Sequence, residues 1–517
     1  MLANRPTVAR GHRPRFAVVL ACLATHACAL NWDQPVDVRD GDGDDARTEA
    51  DVRPDSGDDG DLHPDDGTED DSPVEISDGD VVDDAGACDP AEVPGDEVFV
   101  SDADGSDMND GTRLRPFKTI GVAIGVAIAS GMSAIYIDED TYNEAVVLPD
   151  TSTGLFLEGG WIATGATWMR DCEAGVTGRT VIAAPESASV AVTAEGVRHA
   201  SGLRLLTVTT KARGASLPDA SGESLAGVLV RGDGSVFSLT DVAVVAGRAG
   251  DGGPASATAN GATGGAPGTC GPCVTGALGA PATESGSPAA TSGTFTASGY
   301  TPVDGTAGSP GTAGENGTAG GAGTSSSDCV AGCGPDCASC GVEGGRVTRA
   351  GAQGSCGCGG GGGGAGSAGG GGGASVALLV IGTGATVSVE RGRLEAGDGG
   401  NGSDGGLQGD GGTGSLGAMG AASSCDTACH TGGACTPGSC YSGTAVPLAG
   451  GAAGGLGGGG GAGSPGGAGS GGPSYAVVRV GGALVVLRSS PESVFGSGGA
   501  GAGSAPGGAA GAMHTAP

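Results

Sequence analysis

Cysteines are the residues of this sequence whose spacing most directly suggests chemistry. The chain has 16 of them, and Cys270 and Cys273 enclose Gly-Pro in a C-x-x-C motif. Such a pair supports redox catalysis when it stands at the start of a helix in a βαβ unit. No unit of that kind surrounds this pair. We therefore expect both cysteines to form disulfides, either with each other or across a loop.

Two further cysteine clusters could supply zinc ligands or disulfide partners. One comprises Cys329, Cys333, Cys337, Cys340, Cys356 and Cys358, and the other Cys425, Cys429, His430, Cys435 and Cys440. In an exported chain, disulfides that close large loops are the favoured interpretation, and no metal is then expected. The connectivity stays open. The predicted disulfide cysteines are Cys88, Cys172, Cys270, Cys273, Cys329, Cys333, Cys337, Cys340, Cys356, Cys358, Cys425, Cys429, Cys435 and Cys440.

Residues 1–28 have the pattern of an export signal. Four arginines precede the apolar run 16–24, which is far too short to span a bilayer as a helix. The residues that follow, Ala-Thr-His-Ala-Cys28, resemble a lipobox, although Thr25 occupies the position where Leu is usual. The resemblance implies lipid attachment at Cys28, and ordinary cleavage is the alternative. We predict secretion across the inner membrane and localisation as an outer-membrane or cell-surface lipoprotein.

An acidic stretch separates this signal from the rest of the chain. The net charge is −34, and residues 33–97 alone carry 26 Asp and Glu against three Arg. A segment of such high charge and low hydrophobicity cannot offset the entropy lost on ordering, so residues 29–97 are predicted to be a disordered tether. The charge argues against nucleic acid or anionic lipid as a partner. The only membrane contact we expect is therefore through the N-terminal lipid.

Residues 102–111 combine several carboxylates with turn-forming residues. Asp102, Asp104, Asp107, Asn109 and Asp110 could together hold a calcium ion. The favoured interpretation is that these side chains bond to nearby backbone groups and fix a tight turn. The acidic run 40–45 and the aspartates scattered among later glycines match no calcium-binding register. We therefore predict no cofactor, with calcium as the weaker alternative.

Charged residues of the segment 170–241 form no catalytic motif that we can identify. G-x-S-x-G, H-E-x-x-H and P-loop motifs are all missing from the sequence. His199 is the first candidate for mutation, yet a solvent-facing histidine is the favoured interpretation, and the catalytic residues stay unknown. The candidates among its charged residues are Arg170, Asp171, Arg179, Glu186, Glu195, Arg198, Arg204, Lys211, Arg213, Glu223, Arg231, Asp233 and Asp241.

The elements that would position these residues begin at Val98. Residues 97–101 read as a strand, and residues 102–111 as a loop. A short helix follows, with Pro116 in its first turn, apolar residues at three- and four-residue spacing from Ile120 to Ile128, and Gly131 at its end. Alternating runs at 134–138, 142–148, 155–161, 180–183 and 190–192 read as further strands.

The stretch 99–128 resembles the N-terminal motif of bacterial pectin-lyase-like proteins. It carries Gly-Ser-Asp-x-Asn-Asp-Gly-Thr from Gly105 to Thr112 and Pro-Phe-Lys-Thr-Ile from Pro116 to Ile120. The resemblance implies an all-β fold, a right-handed parallel β-helix in which the short helix caps the open end of the first coil. It points to this solenoid architecture and only weakly to any activity.

An internal repeat supports a solenoid. Residues 232–247 align without a gap to residues 382–397, and a third copy begins at Gly482. In the first alignment Phe237, Leu239, Val244 and Ala246 coincide with apolar residues. Such units bury their apolar faces only by stacking. We expect β-helix coils at 98–250, 374–397 and 473–496, separated by glycine- and cysteine-rich insertions at 251–373 and 398–472 and followed by a glycine-rich tail at 497–517.

The insertions are dominated by glycine. Residues 251–517 contain 84 of the 113 glycines. We expect no collagen-like structure, because no strict Gly-X-Y register runs through the blocks. They resemble the repeats of PE-PGRS-type surface proteins. Two alternatives stay open: an unstructured flexible loop, or extended helices that pair through their backbones.

The combined pattern predicts a non-catalytic, exported surface protein. Its role would be structural, adhesive or matrix-interacting, with polysaccharide or extracellular matrix as the partner. The alternative is a carbohydrate-active enzyme, a lyase or hydrolase of pectin-lyase-like fold, which would need acidic and basic residues gathered on one sheet face.

Overall fold

The computed structural model describes residues 97–152, 154–171, 179–256, 258–330, 346–426 and 445–517. Contacts divide the chain into two units, residues 1–79 and 80–517, and every described residue belongs to the second unit. The predicted signal peptide, Cys28 and the tether up to residue 96 lie outside the described residues.

One α-helix and twenty-three strands make up the regular α and β elements of the described residues. The helix α1 is Ile120–Ser130. The strands are β1 (Val98–Val100), β2 (Ala134–Asp138), β3 (Thr141–Asn143), β4 (Val146–Leu148), β5 (Phe156–Thr164), β6 (Thr167–Arg170), β7 (Val181–Ala183), β8 (Val190–Glu195), β9 (Ser201–Thr209), β10 (Leu225–Arg231), β11 (Val236–Ala246), β12 (Thr294–Thr296), β13 (Gly299–Thr301), β14 (Ser325–Val330), β15 (Arg346–Ala350), β16 (Ser375–Ile381), β17 (Thr386–Ala396), β18 (Ser423–Asp426), β19 (Ala445–Leu448), β20 (Ser474–Val480), β21 (Leu484–Arg488), β22 (Glu492–Phe495) and β23 (Ala510–Ala516).

Two sheets of mainly parallel strands organise the fold. The first sheet has eleven strands, with β1, β2, β5, β9, β11, β17 and β21 along its main path. The second sheet has the order β23-β20-β16-β10-β8-β4. From β8 to β21 the chain alternates between them, leaving aside three separate antiparallel hairpins, β12–β13, β14–β15 and β18–β19. The fold is therefore strand-rich, with parallel sheets, as predicted.

The sequence repeat is confirmed, because residues that align between its copies lie opposite each other in the paired strands of these sheets. Strand β11 pairs in parallel with β17 so that Phe237 lies opposite Val387 and Leu239 opposite Val389. Strand β17 in turn pairs with β21 and β22, which belong to the third copy. The aligned apolar side chains are at most 2% exposed where β11 meets β17. A parallel partner lets each short strand bury an apolar face that it could not bury alone.

The main core runs through both sheets. Its buried side chains extend from Val98 to Val485, further than the range 98–250 that the aromatic residues alone suggested. Ile120, Ala123, Ile124 and Ala127 of α1 are part of it. Side chains from repeats far apart in sequence therefore contribute to one continuous apolar interior.

A left-handed residue bends the long strands of the first sheet at equivalent positions. Leu205, Asp241 and Arg391 have φ of 51°, 53° and 49°, one in each of β9, β11 and β17. The Arg391 guanidinium also donates two hydrogen bonds of 2.8 Å to the Asp241 carboxylate. Non-glycine residues adopt this conformation at a free-energy cost of about 1 kcal/mol, and Asn and Asp tolerate it best.

Asp241→Val is expected to lower the free energy of unfolding by about 1–2 kcal/mol relative to Asp241→Asn, because a β-branched residue is the most strained at positive φ. Both variants lose the ion pair with Arg391. The difference between their free energies of unfolding therefore reports the cost of the left-handed backbone conformation alone. Urea denaturation of the two proteins measures it. Equal stability of the two would contradict the assigned strain.

Helix α1 begins later than predicted. Thr119 is its N-cap and accepts a hydrogen bond from the Val122 N–H, and Gly131 ends it with φ of 67°. Pro116 therefore precedes the helix by four residues instead of lying in its first turn. The Glu144 carboxylate accepts from the Ile120 and Gly121 N–H groups at 2.8 and 2.9 Å. These N–H groups have no partner inside the helix, so a long-range carboxylate fixes where it starts.

The glycine-rich blocks are ordered in their described parts. Along each segment, about every third backbone N–H donates to a carbonyl of a neighbouring segment, which is the period of an extended helix with three residues per turn. Of the two alternatives, extended helices that pair through their backbones describe the structure. The six helices, called segments 1 to 6, span 251–268, 274–290, 302–324, 351–374, 398–422 and 449–473.

The segments pack in two layers. The upper layer contains segments 2, 6 and 5 in that order, and the lower layer contains segments 3, 4 and 1. The central segments 4 and 6 each form hydrogen bonds with four other segments, and residues 499–506 near the C-terminus also bond to the end of segment 6. For example, the Gly363 N–H donates to Gly461 O at 2.8 Å, and the Gly412 N–H donates to Gly361 O at 2.7 Å.

The number of neighbours explains the glycine content of each segment. Segment 4 is enclosed on nearly every side and has six consecutive glycines at 359–364. Segment 3 lies at an edge and needs glycine only on its inner side, so glycine recurs at every third position from 305 to 323. This local Gly-X-Y register departs from our prediction, which considered the blocks as a whole. At Gly311 a Cβ would lie 2.1 Å from Gly461 O.

Candidate functional site

Two disulfides connect the layers of the bundle. Cys270 is bonded to Cys358 and Cys273 to Cys356, with Cα–Cα distances of 5.5 and 5.7 Å. The C-x-x-C cysteines therefore bond across the loop and not to each other. Cys356 and Cys358 are 1% exposed, on segment 4. Cys270 and Cys273 are partly exposed, and the two bonds hold the turn between segments 1 and 2 against the bundle. With all four sulfurs bonded, the C-x-x-C pair has no free thiol for redox chemistry.

The remaining predicted disulfide cysteines give no further pairs among the described side chains. Cys329 lies on β14 and Cys425 on β18. The others lie outside the described residues: Cys88, Cys172, Cys333, Cys337, Cys340, Cys429, Cys435 and Cys440. Among the described residues, no three His, Cys, Asp or Glu side chains converge in a way that could hold a metal ion.

The acidic loop 102–111 uses its side chains to hold backbone. Asp107 Oδ1 accepts from the Lys118 and Thr119 N–H groups at 3.1 and 2.9 Å. Asp110 Oδ1 accepts from the Thr112 hydroxyl at 2.8 Å, and this bond is the main reason that the pKa of Asp110 is lowered. The Asn109 amide donates to Pro116 O at 2.9 Å. The side chains thus act as turn formers that lead into α1.

Most of the predicted charged residues form ion pairs. Lys211 is 8% exposed, lies 2.7 Å from the Glu223 carboxylate and donates to Glu186 O at 2.8 Å. His199 is exposed in the loop between β8 and β9. The ion pairs are Arg170–Glu158, Arg179–Asp171, Arg179–Glu139, Arg204–Glu158, Arg213–Asp251, Arg231–Glu195 and Arg391–Asp241. Charges that neutralise each other over several strands form no single acidic or basic groove.

Glu139, Asp171 and Arg179 form a charged group where strands β2 and β6 of the first sheet end. The Arg179 guanidinium lies 2.6 Å from Asp171 Oδ2 and 3.4 Å from Glu139 Oε1. Burial and then a hydrogen bond with Asp171 raise the pKa of Glu139. Nearby, burial raises the pKa of Asp138, although Ser101 and two backbone N–H groups donate to its carboxylate.

This carboxyl pair is too close for glycoside cleavage in the present geometry. Glycosidases separate their two carboxyls by about 5 Å or more, so that a sugar lies between them. Glu139 and Asp171 instead contact each other and share Arg179. Sequence reasoning named Asp171 and Arg179 but missed Glu139. The sequence offers little reason to single out Glu139, because it is the middle one of three consecutive acidic residues at the end of β2.

Glu139→Gln is expected to flatten the dependence of stability on pH. Because the folded-state pKa of Glu139 is raised, its stabilising contribution is complete below the unfolded pKa of Glu, about 4.3, and is lost as pH rises through the folded value. Wild type should therefore lose more free energy of unfolding than Glu139→Gln between about pH 4 and pH 7. Urea titrations at stepped pH measure this. Glu186→Gln, at an exposed carboxylate, is the control and should follow wild type.

A small apolar groove lies where the hairpin β12–β13 packs on the second sheet. Phe295 is 5.0 Å from Tyr300 and 6.2 Å from Tyr475 between ring centroids, and His514 stacks on Tyr475 at 4.9 Å. Burial raises the pKa of Tyr300 to about 12 and lowers that of His514. The groove, about 170 Å³, is lined mainly by apolar side chains from Val190 to Leu379, and Tyr300 is its one titratable lining residue. Such a groove offers shape and apolar contact without an acid–base pair.

Comparison with known proteins adds no further assignment. No protein family model, no curated protein and no solved structure matches the chain. The search for membrane-spanning helices among the described residues is also negative, since none is both long and apolar enough.

Proposed function

We propose that this chain is an exported cell-surface protein with a structural, adhesive or matrix-interacting role. In this proposal Cys28 carries a lipid anchor, residues 29–97 form a tether, and the two parallel sheets form a right-handed parallel β-helix of pectin-lyase-like type. The alternation of β8 to β21 between two sheets, in a register that repeats along the chain, supports the β-helix.

The observation that carries the adhesive role is the ordered glycine bundle. Six segments with few apolar side chains are held in two layers by backbone hydrogen bonds and two disulfides. An arrangement of this kind fixes a broad, rigid set of surface side chains without a large core. A rigid surface binds with less loss of conformational entropy than a flexible glycine loop would. Polysaccharide or extracellular matrix is the proposed partner.

The experiment is a binding and turnover assay of the purified chain on a panel of acidic polysaccharides, neutral polysaccharides and extracellular-matrix proteins, with and without calcium. We expect retention on one or more immobilised polysaccharides and no release of product. Unsaturated product that absorbs in the ultraviolet would overturn the non-catalytic role. Failure to bind any polysaccharide or matrix protein of the panel would overturn the adhesive role.

A second candidate is a carbohydrate-active enzyme of the lyase class, and the Glu139–Asp171–Arg179 group favours a lyase over a hydrolase. This group combines a carboxyl of raised pKa with a basic residue at one end of a sheet. If turnover is observed, Glu139→Gln and Asp171→Asn should each abolish it, while Glu186→Gln should not. Turnover that survives both substitutions would exclude this group as the active site.

The lipid anchor is tested separately. Cells that express the chain are labelled with a fatty-acid probe, and Cys28→Ala is compared with Cys22→Ala as the matched control. Labelling should disappear in Cys28→Ala and persist in Cys22→Ala. Unchanged labelling of Cys28→Ala would refute the anchor.

A further inference from the structure

The upper layer of the bundle has an outer face with several large apolar side chains in water. Leu278, Leu407, Leu416, Met419 and Leu456 are 80%, 79%, 74%, 78% and 58% exposed. They belong to segments 2, 5 and 6, which are the three segments of that layer. Monomeric proteins rarely expose a large contiguous apolar patch unless it is an interaction site.

Backbone register shows that these side chains share one face. The Gly457 N–H donates to Ser415 O at 3.0 Å, which sets Leu456 of segment 6 beside Leu416 of segment 5. A Cβ on Gly459 would lie 3.8 Å from Leu278 Cδ2, so Leu278 of segment 2 leans over the same surface. Met419 follows Leu416 by one turn, about 9 Å along the helix. The four residues therefore form a continuous cluster near one end of the outer surface of the upper layer, and we call this whole outer surface the apolar face.

The middle of this face is flat. The outward positions of segment 6, at every third residue from 453 to 468, are Ala, Leu, Gly, Ala, Pro and Ala. At Gly459 the nearest atom to an added Cβ is 3.5 Å away, which agrees with an outward direction. Short side chains between the longer ones of segments 2 and 5 allow close approach by another flat surface.

The charge of the face restricts its partner. Segments 2, 5 and 6 contain no Lys or Arg, and their exposed carboxylates include Glu284, Asp404 and Asp410. Nucleic acid, anionic lipid and acidic polysaccharide are therefore unsuitable, because each would meet like charge. Asp410 lies two helical turns from Leu416, about 19 Å, which exceeds the Debye length of about 8 Å at physiological salt. Carboxylates at that distance do not prevent apolar contact at the cluster.

The size of the face matches a protein dimer. Three hydrogen-bonded helices about 5 Å apart share about 17 residues of length at about 3.1 Å per residue, and the C-terminal stretch around Gly503 covers the end near Ala468. The uncovered part is about 650 Å², and a stable interface buries about 600–1,000 Å² on each partner. A second copy of the same chain also fits the face in shape and charge. Its own segment 6 is flat, apolar and uncharged, and it can pack against segment 6 of the first copy.

We propose that the apolar face of the glycine bundle pairs with the same face of a second copy of this chain. Leu416 and Leu456 lie at one end of the contact, where the large apolar side chains cluster, and Asp410 lies midway along its edge on segment 5. This pairing is independent of the adhesive role and of the polysaccharide partner. Because the carboxylates of segments 2 and 5 on the two copies repel each other, pairing should strengthen as salt rises. A basic partner bound through the same carboxylates would show the opposite dependence.

The test is sedimentation velocity of the full chain at about 5–100 μM protein, since weak homodimers dissociate in the micromolar range. We expect a dimer in wild type and a monomer in the double variant Leu416→Asp/Leu456→Asp. The control is Leu114→Asp/Leu217→Asp, at leucines that are 73% and 65% exposed outside the bundle. It should dimerise as wild type does. Circular dichroism of all three verifies folding, which substitutions at such exposed sites should not disturb.

The dimer fraction should rise at least twofold when sodium chloride rises from about 0.05 M to 0.5 M, a range over which screening becomes strong. A wild type that stays monomeric at every concentration overturns the proposal. So does a Leu416→Asp/Leu456→Asp variant that dimerises like wild type, or a control variant that becomes monomeric. Dissociation by salt would also overturn it, because it would indicate attraction between opposite charges in place of apolar pairing.

Discussion

Gly458→Ala is expected to lower the free energy of unfolding by about 3 kcal/mol, whereas Gly459→Ala should change it by less than about 1 kcal/mol. A Cβ on Gly458 would lie 1.9 Å from Ala277 O, a backbone atom of segment 2. Segments 2 and 6 would have to separate, and the hydrogen bonds between them would lengthen. A Cβ on Gly459 meets nothing closer than 3.5 Å, because this position faces outward.

The two variants form a matched pair in adjacent positions. Neither glycine has a positive φ, so alanine is compatible with both backbone conformations. Thermal unfolding should show a midpoint at least about 2 °C lower for Gly458→Ala than for Gly459→Ala. Hydrogen exchange should locate the loss of protection in segments 2 and 6. Similar midpoints for the two variants would contradict the two-layer packing.

Removing both disulfides of the bundle is expected to lower the free energy of unfolding by about 4 kcal/mol, and removing one by only about 1–2 kcal/mol. The two bonds have sequence separations of 88 and 83 residues and close almost the same loop. Either bond alone therefore restricts most of the unfolded chain, and only the loss of both opens the large loop. The loss of unfolding free energy on removing both disulfides should exceed the sum of the losses on removing each disulfide alone.

The comparison uses three variants with alanine in place of cysteine. One lacks Cys270 and Cys358, one lacks Cys273 and Cys356, and the third lacks all four. Guanidinium denaturation without reductant measures each stability, and the double cycle gives the coupling between the bonds. Losses that simply add would show that the two bonds constrain separate parts of the chain.

The sequence predicted much of the strand-rich part because its signal is local. The alternating apolar residues of 232–247 and 382–397 have the same spacing, and side chains that alternate between two faces must stack in register to be buried together. The structure pairs these residues without a gap. The helix that ends at Gly131 was recognisable for the same reason, whereas its start was not. Glu144, 24 residues away from Ile120, helps to fix the start.

The glycine blocks could not be assigned from sequence in the same way. Glycine has no side chain, so a glycine-rich sequence has no apolar pattern that would distinguish a flexible loop from a packed extended helix. What decides the outcome is how many backbone neighbours surround each turn, and those neighbours lie up to 180 residues away, as in the Ser464 contact with Glu284. The same limit applies to the disulfide partners and to the Glu139–Asp171 contact.

By itself the sequence determined which strands repeat, where glycine segments interrupt them and which cysteines are available to cross-link. Only the tertiary structure decided that Cys270 and Cys273 bond to segment 4 and that the charged residues pair off. It also decided that the leucines of three separate segments share one face. The physical reason is that a side-chain pattern fixes which face of a segment is buried, whereas contacts between distant segments depend on the packing of the whole chain.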